Sequence, residues 1–224
     1  FWFLINQKII PSASSETLIK LENQIAEVEI NAVEDDEITK PPLEKIWQED
    51  EKIEYNGFII TKKCDGTVAD NDCKIKISKN NKTFVLFESG RNYWLQYGFF
   101  NFLGDADKQL IVHTYSGGAH CCYDYIIYDL QPNFRVLYDS RKFDRLVGSQ
   151  LIPVDINKDG VFEFEQSVMS FDYFYASHAG SIFPPAVFVY DKKENRYRIG
   201  NKDFSGFILE DTKKSSDWFE EQYG

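Results

Sequence analysis

Pro153-Val154-Asp155-Ile156-Asn157-Lys158-Asp159-Gly160-Val161-Phe162-Glu163 runs from an apolar pair through an acidic loop into a β-type segment. Oxygen-bearing side chains stand at positions 1, 3, 5 and 9 of the loop that starts at Asp155. Alternate residues of a tight loop can point inward together, and calcium takes six to eight oxygens at short range. Gly160 permits a sharp turn that would bring the Val161 carbonyl to the same centre. The flanks are rich in β-branched and aromatic residues, and position 12 is Gln166, where a helix-flanked calcium loop requires Glu. The loop therefore reads as a Ca²⁺ site between two β-strands, with Asp155, Asn157, Asp159, Val161 and Glu163 as the ligand set.

Working outward, this loop belongs to a segment that has a counterpart upstream. Pro153–Asn157, a β-type run at 162–169, a Ser/His/Gly loop, Val189-Tyr190-Asp191 and a second run at 196–199 follow one another in order. Leu103-Gly104-Asp105-Ala106-Asp107, a run at 109–115, a Ser-Gly-Gly loop, Ile127-Tyr128-Asp129 and a run at 134–138 repeat that order. The acidic loops are 50 residues apart and the Tyr-Asp turns 62, so the second copy holds about twelve extra residues, assigned to Phe171–Pro185. Units near 97–143 and 147–204, each with several short strands, predict a mainly β fold of antiparallel strands in propeller-like repeat units, with a β-sandwich as the alternative. Further strands are expected at 58–60, 74–78, 83–87 and 186–190, with turn chemistry at Asp65-Gly66 and Asn80-Asn81. In the first unit, the loop Gly104–Gln109 lacks the third acid and the glycine, so a metal-free turn is expected there.

The nine-residue motif resembles the calcium loops of FG-GAP and VCBS-type repeats, which sit in β-hairpins of propeller-like extracellular proteins. The resemblance is close over the motif and holds only in outline over the fifty-residue unit. It implies a calcium-dependent scaffold outside the cytoplasm.

Composition agrees with a packed β domain: 19 Phe, 13 Tyr and 4 Trp in 224 residues favour strands and a large core. Net charge is −11, which argues against nucleic acid and anionic membranes as partners. Residues 1–52 hold 12 acidic and 5 basic side chains, with Pro41-Pro42 between two acidic runs, the pattern of a solvated linker. Leu18, Leu21, Ile25 and Val28 predict a short helix within 14–30. The apolar start, followed by Pro11-Ser12-Ala13-Ser14, reads as a signal-peptide remnant over 1–14. The predicted organisation is a helix and acidic linker over 1–52 and a β domain over 53–224, with a C-terminal helix from 215. No stretch is long and apolar enough to span a bilayer as a helix.

Four cysteines in an exported chain imply disulfides. Of the three connectivities, Cys64–Cys73 with Cys121–Cys122 is preferred, because Cys64 and Cys73 flank a polar hairpin loop. Ser116-Gly117-Gly118-Ala119-His120-Cys121-Cys122 is the most distinctive segment and is similar to one in uncharacterised exported bacterial proteins, a likeness that brings no assigned activity. His120, with His113 and His178, could form a transition-metal site, but adjacent cysteines lack zinc-ligand spacing. The aromatic loop 171–185 could stack a sugar or contact a protein, or could cap the core. Candidate ligand-binding residues are Ser116, His120, Tyr173, Tyr175 and His178. No nucleophile elbow, zinc signature or catalytic carboxylate pair is recognisable, so no residue is assigned to catalysis. The expectation is a non-enzymatic, secreted or periplasmic calcium-binding module with a carbohydrate or protein ligand. The alternative is a hydrolase of polysaccharide or peptide built on the Ser116–Cys122 loop.

Overall fold

The computed structural model describes residues 47–48, 51–67, 70–89, 94–117, 123–143, 148–174, 177–181 and 183–223. The chain divides into two units, Phe1–Ile38 and Thr39–Gly224. The predicted helix within 14–30 and the apolar start lie outside the described residues.

Among the described residues the second unit holds twelve strands in three four-stranded sheets, and each of these strand pairs is antiparallel. Sheet I contains β1 (Lys52–Tyr55), β2 (Phe58–Thr67), β3 (Asp70–Lys79) and β4 (Lys82–Glu88). Sheet II contains β5 (Trp94–Phe100), β6 (Gln109–Tyr115), β7 (Tyr123–Asp129) and β8 (Arg135–Asp139). Sheet III contains β9 (Ile152–Val154), β10 (Glu163–Ser167), β11 (Pro185–Asp191) and β12 (Arg196–Ile199). Each sheet is a meander, its strands adjacent in chain order. The mainly β expectation is met, and each of the two look-alike segments forms one sheet.

Local chemistry explains the tight connections. Asn56-Gly57 and Asn80-Asn81 carry positive φ at both positions, 51° and 74°, then 50° and 61°. Such a pair makes the mirror-image turn whose twist suits a two-residue hairpin, and Asn and Gly tolerate it best. Cys64 and Cys73 are directly opposite in the β2–β3 register and form a disulfide. The β10–β11 connection carries two short 3-10 turns, Met169–Phe171 and His178–Gly180.

Sheet II is buried on both faces. Along β6, Leu110 and Val112 join Phe58, Ile60, Ile75 and Ile77 of sheet I in one apolar cluster. Ile111, with Tyr125 and Ile127 of β7, joins Phe164, Phe188 and Tyr197 of sheet III in a second. Side chains alternate across a strand, so a strand with a core on each side must read as a continuous apolar run, as Leu110-Ile111-Val112 does.

Three strands escape sequence patterning. β1 is only four residues long at a sheet edge, β5 is interrupted by Gly98, and β9 is three residues with Pro153 inside. Proline is tolerated in β9 because that strand is an edge of its sheet. The C-terminal helix α1 spans Ser205–Tyr223 and starts ten residues earlier than expected. Trp47, from the segment read as linker, bridges Gly98 at the β5 edge, and the Gln48 amide donates to the Tyr97 carbonyl at 2.9 Å.

Phe164 is fully buried and its ring meets those of Phe102, Tyr138, Phe188 and Tyr197. Phe164→Ala should cost about 3–5 kcal/mol of stability in a urea melt. The exposed Leu86, changed to Ala, should stay within about 0.5 kcal/mol of wild type.

Candidate functional site

The acidic loop connects β9 to β10, as the sequence predicts. Its side chains fold onto its own amides. The Asp159 amide donates to Asp155 Oδ1 and Asn157 Oδ1, both at 3.0 Å, and the Gly160 amide to Asp155 Oδ2 at 3.0 Å. The Val161 amide donates to Asp159 Oδ1 at 2.8 Å, and the Ile156 amide to Glu163 Oε2 at 3.0 Å. Lys158 and Gly160 hold left-handed conformations, φ 58° and 83°, which bend the chain around these carboxylates. Glu163 is only 4% exposed. Burial, then the nearby Asp159 and Asp155 charges, push its pKa up to about 7, against the opposing effect of its backbone hydrogen bonds. Gln166 turns elsewhere: its amide donates to the Ser149 carbonyl, and its oxygen accepts from the Tyr138 hydroxyl.

The β5–β6 loop repeats this frame, but in a different register from the one the sequence suggests. Both loops have eight residues, 101–108 and 155–162, between equivalent strands. The structural offset is therefore 54, and Asp105 corresponds to Asp159 rather than to Asp155. Gly104, φ 69°, takes the place of Lys158. The Asp107 amide donates to Asp105 Oδ1, as Val161 does to Asp159. Gln109 takes the place of Glu163: its Oε1 accepts the Phe102 amide at 2.7 Å, as Glu163 accepts Ile156. The difference lies in the remaining polar atoms. Gln109 Nε2 donates to the Asp107 carbonyl at 3.1 Å, and Asn101 Nδ2 donates to the Asp105 carbonyl at 2.7 Å. Amide hydrogens thus fill the first loop, whereas Asp155 and Glu163, when ionised, can only accept. A matching of acidic letters could not reveal this, because the counterparts of Asp155 and Glu163 are amides.

The donor set of the second loop suits calcium: three carboxylates, one amide oxygen and a carbonyl within nine residues. Each carboxylate oxygen that accepts one N–H retains lone-pair capacity for a cation. As arranged, no three His, Cys, Asp or Glu side chains among the described residues are gathered into a metal cage.

The β6–β7 and β10–β11 connections lie at the other end of the strands. Ser116 follows β6 directly, whereas His120, Cys121, Cys122 and Tyr175 lie outside the described residues. In the β10–β11 loop, His178 Nδ1 is 2.9 Å from Asp172 Oδ1, and the His178 ring approaches Tyr173 and Phe183. Tyr173, φ 58°, and Phe174 are 61% and 64% exposed. These rings face solvent rather than capping the core.

His113 does not join His178. It is 7% exposed on β6 and stacks on Trp47, Tyr123 and Tyr125, at ring distances of 5.2, 5.4 and 4.7 Å. Among the described residues neither ring nitrogen has a hydrogen-bond partner. Burial lowers its pKa to about 4. The stack continues through Tyr115 on Tyr123, at 4.4 Å, and Tyr115 meets the exposed Trp94 edge-on at 6.4 Å.

Comparison with protein-family models, curated proteins and solved structures finds no match for this chain.

Folding moves the His113 pKa from the usual 6.5 to about 4, so the native state binds fewer protons than the unfolded chain in that interval. The contribution is intact above pH 6.5 and is lost as pH falls toward 4, amounting to about 3 kcal/mol at the acid end. The rings facing His113 are those of Trp47, Tyr123 and Tyr125, and none of the three carries a group that takes up a proton in this interval. His113→Phe should therefore flatten the stability–pH curve between pH 6.5 and 4 relative to wild type, measured by urea melts across that range.

Proposed function

We propose that the protein is a calcium-binding β module that acts by binding rather than by catalysis, with Asp155, Asn157, Asp159, Glu163 and the Val161 carbonyl holding the ion. The observation that carries this reading is the pair of loops with one frame, in which Asn101 and Gln109 of the first give way to Asp155 and Glu163 in the second. Where the first loop places the Gln109 amide, donating to the Asp107 carbonyl, the second places the buried Glu163 carboxylate. A carboxylate has no proton to give in its ionised form, and burying it beside two further acids is costly without a counter-charge. A divalent cation supplies what the two amide groups supply in the first loop. When bound, it would neutralise the loop and fix its turn, and it has no chemical step to perform.

The three consecutive meanders, with the resemblance of the acidic loop to FG-GAP and VCBS-type repeats, support a propeller-like arrangement of repeat units. The Cys64–Cys73 disulfide supports an oxidising compartment, hence secretion or the periplasm. No helix among the described residues is long and apolar enough to cross a membrane. The exposed Tyr173 and Phe174 beside the His178–Asp172 pair form the surface for a carbohydrate or protein ligand, since exposed rings with polar neighbours suit sugar faces and protein hot spots.

A second reading, a hydrolase, draws on the same pair: a carboxylate on Nδ1 orients an imidazole as it would a general base. Turnover in a polysaccharide and peptide hydrolase screen that His178→Ala abolishes would favour it; binding to a glycan array without turnover favours the module.

Calcium at a hundredfold excess over its dissociation constant should add about 2.7 kcal/mol to stability, and EGTA should remove that gain. Asp155→Ala or Asp159→Ala should abolish the response. Asp155→Asn combined with Glu163→Gln copies the polar pattern of Asn101 and Gln109. In EGTA this double variant should be more stable than wild type by about 1 kcal/mol, and it should ignore calcium. A wild-type melt identical in calcium and EGTA would overturn the proposal.

A further inference from the structure

We infer that Gly104, in the first unit, is a positioning residue for the calcium loop of the second, an inference that rests on the calcium reading above. The two loops touch backbone to backbone. A Cβ added to Gly104 would overlap the Gly160 carbonyl oxygen and lie 2.9 Å from its carbonyl carbon. Neither group is the flexible end of a side chain, so the clash could be relieved only by moving one loop. The neighbouring peptide is pinned as well, because the Phe162 amide donates to the Phe102 carbonyl at 2.8 Å. Gly160 and Phe162 flank Val161, whose carbonyl is a ligand in the proposed site. The first loop thus grips the second on both sides of that carbonyl.

The grip is useful only if the first loop is itself rigid, and its hydrogen bonds make it so. Gln109 is fully buried, accepts the Phe102 and Leu103 amides, and donates to the Asp107 carbonyl. On its far side the loop is tied to sheet I: the Lys108 amide donates to the Tyr55 hydroxyl at 2.7 Å, and Asn56 Nδ2 to Asp107 Oδ1 at 2.8 Å. A loop closed by its own amides therefore braces a loop that needs an ion. Outer contacts that hold metal ligands in place commonly matter about 10–100-fold in affinity.

The experiment is calorimetric titration of CaCl₂ into the full chain as wild type, Gly104→Ala and Gly57→Ala. Gly57 is the control for backbone strain: its φ is 74°, close to the 69° of Gly104, but a Cβ there meets only the Lys79 side chain, at 3.4 Å and beyond. Gly104→Ala should bind calcium at least about tenfold more weakly than wild type, and Gly57→Ala within about twofold of it. Equal affinity in wild type and Gly104→Ala would overturn the inference while leaving the calcium reading intact. No binding heat in wild type would overturn both. If Gly104→Ala fails to fold, amide exchange of the wild type decides the matter. Calcium should slow exchange at 101–105 together with 155–163; protection confined to 155–163 would sink the inference.

Discussion

The structure depends on sheet II having a core on each face. A meander that buries one face can exist as the outer layer of almost any fold, but a strand buried on both faces has no solvent side to hold its register. β6 meets that constraint with Leu110, Ile111 and Val112 in succession, and with Gln109, His113 and Thr114 also buried. The polar members must then be satisfied within the protein. Gln109 is, by the β5–β6 loop, and that satisfaction shapes the loop. His113 has no hydrogen-bond partner among the described residues, and it sits in a stack of rings with its imidazole held neutral by burial. The rigidity of one end of the domain and the pH sensitivity expected of its interior thus have a common origin in the depth of one strand.

Much of the architecture was legible, because the strands that carry the cores are long and apolar or are bounded by strong turns. Asn80-Asn81 and the two acidic loops mark three hairpins by backbone chemistry alone, and Cys64 with Cys73 mark a fourth. The strands that were not legible lack those signals: β9 is too short and contains Pro153, and β5 carries Gly98 at the point where Trp47 pairs with it. Gly98 leaves its position on the sheet without a side chain, consistent with the approach of Trp47 to His113 at 5.2 Å. That contact is made by a residue the acidic, proline-containing composition of its surroundings had assigned to a linker.

The acidic loop was legible in composition and in place, but its partner loop was misaligned by four residues. Matching acids to acids sets Asp105 against Asp155, whereas the strand ends and the left-handed residue set it against Asp159. Asn and Gln can occupy the positions of Asp and Glu with almost the same shape and make the same accepting bond to a backbone amide. A scan for charge is blind to that equivalence. The physical content lies in what the amide adds, two donors, and these close on the carbonyls of Asp105 and Asp107.

The two ends of the strands are therefore built on different principles. At one end, two-residue turns and two loops of equal length are tied to one another across all three sheets, through Asn56, Gly104 and Phe162. A shift there breaks one of these hydrogen bonds or overlaps backbone. At the other end the β10–β11 connection is long, spanning 168–184, and it exposes Tyr173 and Phe174 on a left-handed residue and a His–Asp contact. Recognition needs groups that are presented but not consumed by packing, and loops on a rigid scaffold supply them. On the proposed reading, an ion at the tied end contributes order rather than chemistry, and a ligand is met at the opposite end of the same strands.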